Sequence, residues 1–276
     1  MRQTIIGPRT PPRIPDPVYA PLSETTVLSE PANLTMPFAE PIRLTFCDDV
    51  RSLPSRFVDE IEALATCENA LFMGAAVGAA VYLHDNVDNR VADGITRHGP
   101  VWGNVSEVIV DFGDAFPYQL PLLAGMYATS LWQQNKDLHE LTLTMFTTYK
   151  FTLLSSVALQ YATRTHESGN GVFNLFSDSG FPSEQTATTF ALAAVIDEAL
   201  GWECGLPAYL FAGLIGWSEV DQNRHHVSDV VFGAAMGYVI GKTIGALHYR
   251  PDAPCKLVPL IDTYYGTQGL GIEFHF

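Results

Sequence analysis

From residue 53 onward the apolar positions follow a helical period. In Ser55-Arg56-Phe57-Val58-Asp59-Glu60-Ile61-Glu62-Ala63-Leu64 they fall at i, i+1, i+4 and i+7, one face of a helix. A small-residue helix is predicted over Asn69 to Leu83. Another follows over Asp85 to Thr96, where Val87, Val91 and Ile95 stand four apart. Leu120 to Gln133 and Leu138 to Ala162 give two long helices. Pro182-Ser183 introduces one over Gln185 to Leu200, proline being tolerated near a first turn, and Gly201 ends it. Leu206 to Trp217 and His225 to Leu247 complete the set. No stretch sustains the alternation of a strand. The expected fold is all-α, a single bundle of about eight helices over 46–250.

The pattern is different at both ends. Residues 1–45 hold nine of the eighteen prolines, Pro8 to Pro41. Proline fixes φ and removes a backbone donor, so this stretch reads as an extended arm. Val27, Leu34, Met36 and Phe38 give the arm something to bury, on its own domain or in a homo-oligomer. Residues 251–276 read as an irregular C-terminal tail. Its last stretch, 269–276, suits an edge strand or a docking segment equally.

Composition narrows the class. Of 276 residues, 47% are hydrophobic and only 16% charged, against about 25% in a typical soluble domain. The formal net charge of −15 disfavours nucleic acid and anionic headgroups and suits cations. Cys47, Cys67, Cys204 and Cys255 form no C-x-x-C pair, so a cysteine zinc site is not expected. Disulfides and free thiols fit the count equally. The longest apolar runs, Ala70 to Leu83 and Gly205 to Trp217, fall short of the about 18 residues a span requires. The expectation is a soluble chain with no membrane span, cytoplasmic or an exported mature form.

Three segments carry candidate chemistry. The first runs from Gln160 through Arg164 and His166 to Glu167-Ser168. The second is Pro182-Ser183-Glu184-Gln185 at a helix start. The third is Ser218-Glu219, then His225, then Asp229. In order and spacing they resemble the three motifs of the type-2 phosphatidic acid phosphatase / vanadium haloperoxidase superfamily, and the resemblance covers about 70–247. It implies the family's helical fold, with the three segments converging on one pocket. It also implies that a lysine and two arginines should hold phosphate or vanadate oxygens. One histidine should attack phosphorus, and another should protonate the leaving group.

Most of those identities are replaced. Gln160 stands for the lysine, Glu167 and Glu219 for the arginines, Glu184 for the glycine and Gln185 for the acid histidine. Ser183, His225 and Asp229 keep the family identity. A pocket built for an anion would thus hold three carboxylates. Phosphoryl transfer depends on electrostatic stabilisation of anionic oxygens. A like-charge contact at about 4 Å costs on the order of 4 kcal/mol at a protein-like dielectric. An ordinary metal-independent phosphatase is therefore not expected, and neither is a vanadate cofactor.

Carboxylates beside an imidazole are a ligand set for iron, manganese, zinc or magnesium. The expected metal ligands are Glu167, Glu184, Glu219 and His225, with His166, Gln160 and Gln185 as further ligands or support. Asp229, four residues beyond His225, would orient its ring. The leading expectation is a metal-binding protein of this fold and, if it is an enzyme, a metal-dependent one. The alternatives are an inactive structural or interaction protein, and a residual acid phosphatase or haloperoxidase using His225, Asp229 and Ser183. Outside the three segments, His84-Asp85 with Asp88 reads as an exposed helix start. His139-Glu140 reads as a solvated face, His226 as a rim residue, and Asp111 and Asp114 as turn and cap residues.

Overall fold

The computed structural model of the protein describes residues 43–114, 118–163, 180–250, 255–262 and 267–274. Residues 1–42 of the expected arm, and both His166 and Glu167, lie outside the described residues. Among those described, nine α-helices form: α1 (Phe46–Leu64), α2 (Cys67–Leu83), α3 (Asn89–His98), α4 (Asn104–Asp111), α5 (Leu120–Gln133), α6 (Lys136–Thr163), α7 (Glu184–Leu200), α8 (Trp202–Asp221) and α9 (Val227–Tyr249). A π-helical turn, His84–Asp88, carries α2 into α3 without a break. The helical expectation is met. The C-terminal segment differs: β1 (Cys255–Asp262) and β2 (Thr267–Phe274) pair antiparallel, Cys255 opposite Phe274, where an irregular tail was expected.

Local chemistry sets the helix starts. Thr45, Thr66 and Ser183 each take a hydrogen bond on the side-chain oxygen from an amide three residues on, which satisfies a first-turn donor. The glycines at Gly99 (φ 78°) and Gly201 (φ 85°) end α3 and α7 in a backbone region that side chains rarely adopt.

Helices α2, α5, α6, α7, α8 and α9 run up and down between two ends. At one end Ser183 of the α7 start donates to the Asp229 carbonyl of α9 (3.2 Å), and Gln119 before α5 donates to Thr189 of α7 (3.1 Å). At the other, Asn69 of α2 meets Thr243 of α9 (3.1 Å) and Arg250 meets Glu198 of α7 (2.8 Å). The core lies along α7 and α9, with Ala76, Ala80, Ala187, Phe232, Met236, Ile240 and Ile244 in one cluster.

The α7–α9 contact is backbone on backbone. Gly233, Gly237, Gly241 and Gly245 stand four apart on α9. A Cβ on Gly233 would come within 2.6 Å of the Ser183 carbonyl oxygen, and on Gly241 within 2.2 Å of that of Ala191. Small residues at this spacing let helices approach closely, and they are common where helices pack inside a bilayer.

One expectation is overturned here. Two helical segments, Cys67–His98 and Val227–Tyr249, are long and apolar enough to cross a membrane. The sequence reading stopped the first apolar run at Leu83, where the helix in fact continues, and predicted the second, His225 to Leu247, as a helix without taking it as a span. The surface agrees with the correction. Helix α2 is apolar around its whole circumference yet buries only Ala76 and Ala80, leaving Leu71 (77% exposed), Phe72, Val77, Val81 and Tyr82 outside. On α8, Leu206, Leu210, Phe211 and Leu214 are likewise exposed. In water each such side chain forgoes about 1.5–3 kcal/mol of burial energy. The reading of the chain as soluble, without a span, is corrected accordingly.

Candidate functional site

Three helix ends meet at one end of the bundle. Gln160, near the end of α6, donates its Nε2–H to the Pro182 carbonyl (3.3 Å). Ser183 caps α7 and donates its amide to Asp229 (3.2 Å). The loop from α8 to α9 folds back, the amides of Arg224 and His225 both donating to the Glu219 carbonyl (3.0 and 3.3 Å). These bonds bring Gln160, Ser183, Glu219, His225 and Asp229 to the same end. Glu184 and Gln185 open α7 directly after Ser183 and are half-buried. No placement is described for Glu167 or His166.

Burial here is deep. Ser183 and Glu219 are 0% exposed and His225 is 5% exposed. Neither ring nitrogen of His225 has a hydrogen-bond partner. Asp229 was expected to hold Nδ1–H of His225, but its Oδ2 lies 3.7 Å from that nitrogen, too far for a hydrogen bond. Asp229 is instead engaged at the start of α9, where Oδ2 accepts the His226 amide (2.9 Å). His226 is the N-cap residue of that helix, which explains its half-exposed position at the rim.

Two buried aspartates hold this end together, Asp221 among them not singled out by sequence reasoning. Asp88 accepts from the Ser228 amide (3.1 Å) and hydroxyl (2.5 Å), so the π turn clamps the first turn of α9. It is 2% exposed, against the exposed helix start expected at 84–88. Asp221, at the end of α8, accepts from the amides of Val101 (2.6 Å) and Trp102 (3.0 Å) and from the Ser106 hydroxyl (2.6 Å). Both carboxylates face helix N-termini, where negative charge is favoured. Arg224 reaches Asp111 on α4 (3.8 Å).

The opposite end carries a second polar network. His139, expected on a solvated face, is buried between Asp49 (Nε2 to Oδ1, 3.0 Å) and Ser130 (Nδ1 to Oγ, 3.0 Å). Glu140 takes Arg56 at 2.7 Å and His248 at 3.2 Å. The His248 bond, with Arg56 beside it, outweighs burial and holds the Glu140 carboxyl down at about 2. Cys47, Cys67 and Cys204 are free and exposed.

An apolar groove of about 520 Å³ runs between α1, α2, α6 and α9, lined by Leu64, Met73, Met236 and Ile240 among others. Beside His225 there is space of only about 10 Å³, bounded by Asp88, Val220 and His226. Among the described residues no three His, Cys, Asp or Glu side chains are grouped so as to hold a metal ion. Among the described residues of this end, neither Gln160 nor Glu219 offers a cation to a vanadate oxyanion. The Gln160 amide is spent on Pro182, and Glu219 is a buried carboxylate where an oxyanion needs a cation.

The family model described as the PAP2 superfamily matches residues 125–251. No curated protein matches the chain. The chain is also similar to a solved structure described as the first transmembrane PAP2-type phosphatidylglycerolphosphate phosphatase, from Bacillus subtilis. That likeness has 19% identity and a TM-score of 0.43, covering 72% of this chain and 94% of the other.

Proposed function

We propose that the chain, whose residues 125–251 match the PAP2 superfamily model, is a membrane-embedded member of that superfamily that no longer carries out metal-independent phosphoryl transfer and acts as a structural or interaction protein. The observation that carries this reading is Glu219. It is wholly buried, one residue after Ser218 in the frame that leads to His225, where the resemblance implies an arginine. A buried carboxylate opposes the charge that a transferring phosphoryl group develops. Gln185 also stands where the resemblance implies the leaving-group acid, a role that typically contributes about 10²- to 10⁴-fold. What remains of the motifs has structural work: Ser183 caps α7, Asp229 caps α9, and their backbones join.

The direct test is phosphate release by protein purified in detergent, with chelator present. The substrates are p-nitrophenyl phosphate and phosphatidic acid in mixed micelles. The expected rate equals that of His225→Ala.

A second reading, a bound divalent or transition metal ion, is favoured by one feature. The His225 ring is buried with neither nitrogen hydrogen-bonded, beside a buried glutamate. An ion held by His225 and Glu219, with Glu184 and Glu167 completing the set, would give that ring a partner. Thermal melts decide it. A melting temperature that rises with manganese, iron, zinc or magnesium, and no longer does so in Glu219→Gln, supports the ion. Melts indifferent to every ion leave the non-catalytic scaffold.

A further inference from the structure

All four tryptophans of the chain, Trp102, Trp132, Trp202 and Trp217, are exposed, Trp132 to 85% and Trp202 to 67%. Indole is large and mostly apolar, and a fold in water normally buries most of it. Their positions along the helices are ordered. Trp217 near the end of α8 and Trp102 before α4 lie 6.1 Å apart, ring centre to ring centre, at the end where Glu219 and His225 sit. Exposed Tyr82, Tyr118 and Tyr161 close α2, open α5 and close α6 at that same end. Trp202 opens α8, and Trp132 lies near the end of α5, both at the opposite end.

Between these two levels three helices present apolar exposed surface. Helix α8 shows Leu206, Leu210, Phe211 and Leu214, with no charged residue between Glu203 and Glu219. Helix α5 shows Leu122 and has no charged residue at all, and α2 has none between Glu68 and the π turn. We infer that the exposed tryptophans and tyrosines mark the two polar–apolar boundaries of a lipid bilayer, so that α5 and α8 face lipid as well as the two longer apolar segments. The inference rests on the membrane reading above and adds its boundaries. It also places the Glu219–His225 end at one membrane surface.

The physical basis is that amphipathic rings settle at the headgroup level, apolar body inward and N–H or O–H outward. A bilayer core also leaves no water for unpaired backbone groups, which only helices satisfy internally. Trp202 and Trp217 are fifteen residues apart on α8, about 22 Å along the axis. A bilayer core is about 30 Å, and a shorter apolar band is met by local thinning.

The test uses the full chain reconstituted into phosphatidylcholine vesicles carrying bromine either near the headgroup or near the acyl chain end. Variants keep one tryptophan each, the other three replaced by phenylalanine. A further variant, Leu210→Trp, is made in the background lacking all four. The expected result is that Trp132, Trp202 and Trp217 are quenched most by shallow bromine and Leu210→Trp most by deep bromine. In wild type, shallow bromine should quench total emission more than deep bromine, a reading that needs no altered background. Protein that inserts, resisting carbonate extraction, but shows deep quenching for the native tryptophans or none for Leu210→Trp overturns the boundaries and leaves the membrane reading standing. Protein that does not float with vesicles overturns both.

Discussion

A Cβ placed on Gly237 would stand 2.0 Å from the carbonyl oxygen of Ala187. No side chain intervenes between α7 and α9 at that point, and a carbonyl cannot rotate away as a side chain can. Gly237→Ala should therefore destabilise the protein at or above the usual about 1–3 kcal/mol of an overpacked core. Gly74→Ala on α2, with nothing within 4 Å of the new atom, should be neutral or up to about 1 kcal/mol stabilising through helix propensity. Unfolding of the two variants in detergent distinguishes them.

Asp221 should prove more important to the fold than any residue of the expected metal set. It satisfies two amides and a hydroxyl from inside the protein. Asp221→Ala leaves buried donors unpaired, at about 1–3 kcal/mol each. A loss of about 3 kcal/mol or more is expected, with Trp102 fluorescence changing as the start of α4 loosens.

Acid sensitivity should trace partly to Glu140. Its carboxyl is held at about 2, below the ordinary 4.5, by His248 first and Arg56 next. A depressed carboxylate stabilises the fold fully above its unfolded-state value, and that contribution fades as pH falls toward the folded-state value. Melting temperature should thus fall between about pH 4.5 and 2 in wild type. Glu140→Gln should start lower at neutral pH and show a shallower fall across that window.

Much of this was legible in the chain. Helical spacing and the caps at Ser183 and Gly201 located most of the bundle, and the three motif frames pointed to a common end. The rest was hidden for identifiable reasons. Helix α4 is short, and its start depends on Asp221, more than a hundred residues away, which no local pattern reports. The helix over His225 to Leu247 was expected, but nothing local shows that its fourfold glycines are the contact surface for α7. Membrane character was obscured because Asp85 and Asp88 interrupt the apolar run after Leu83, while the backbone continues through a π turn and buries Asp88 against Ser228. His139 looked solvated because Asp49 and Ser130, its partners, lie on other helices.

Helix α1 offers a separate check on the membrane reading. Phe46, Val50, Leu53, Phe57 and Ile61 form an exposed apolar stripe, while Glu60 turns inward to His248 (3.5 Å). Such a helix suits the plane of a bilayer surface. Replacing Val50 and Leu53 by serine should weaken vesicle association without lowering the melting temperature in detergent, since neither side chain is in the core.

The central claim is that the carboxylate-bearing pocket does not transfer phosphoryl groups unaided. Phosphate release from p-nitrophenyl phosphate and phosphatidic acid, measured on detergent-purified protein with chelator, tests it most directly. The result expected is turnover no higher in wild type than in His225→Ala. Efficient release by wild type in chelator, abolished in His225→Ala, would contradict the account.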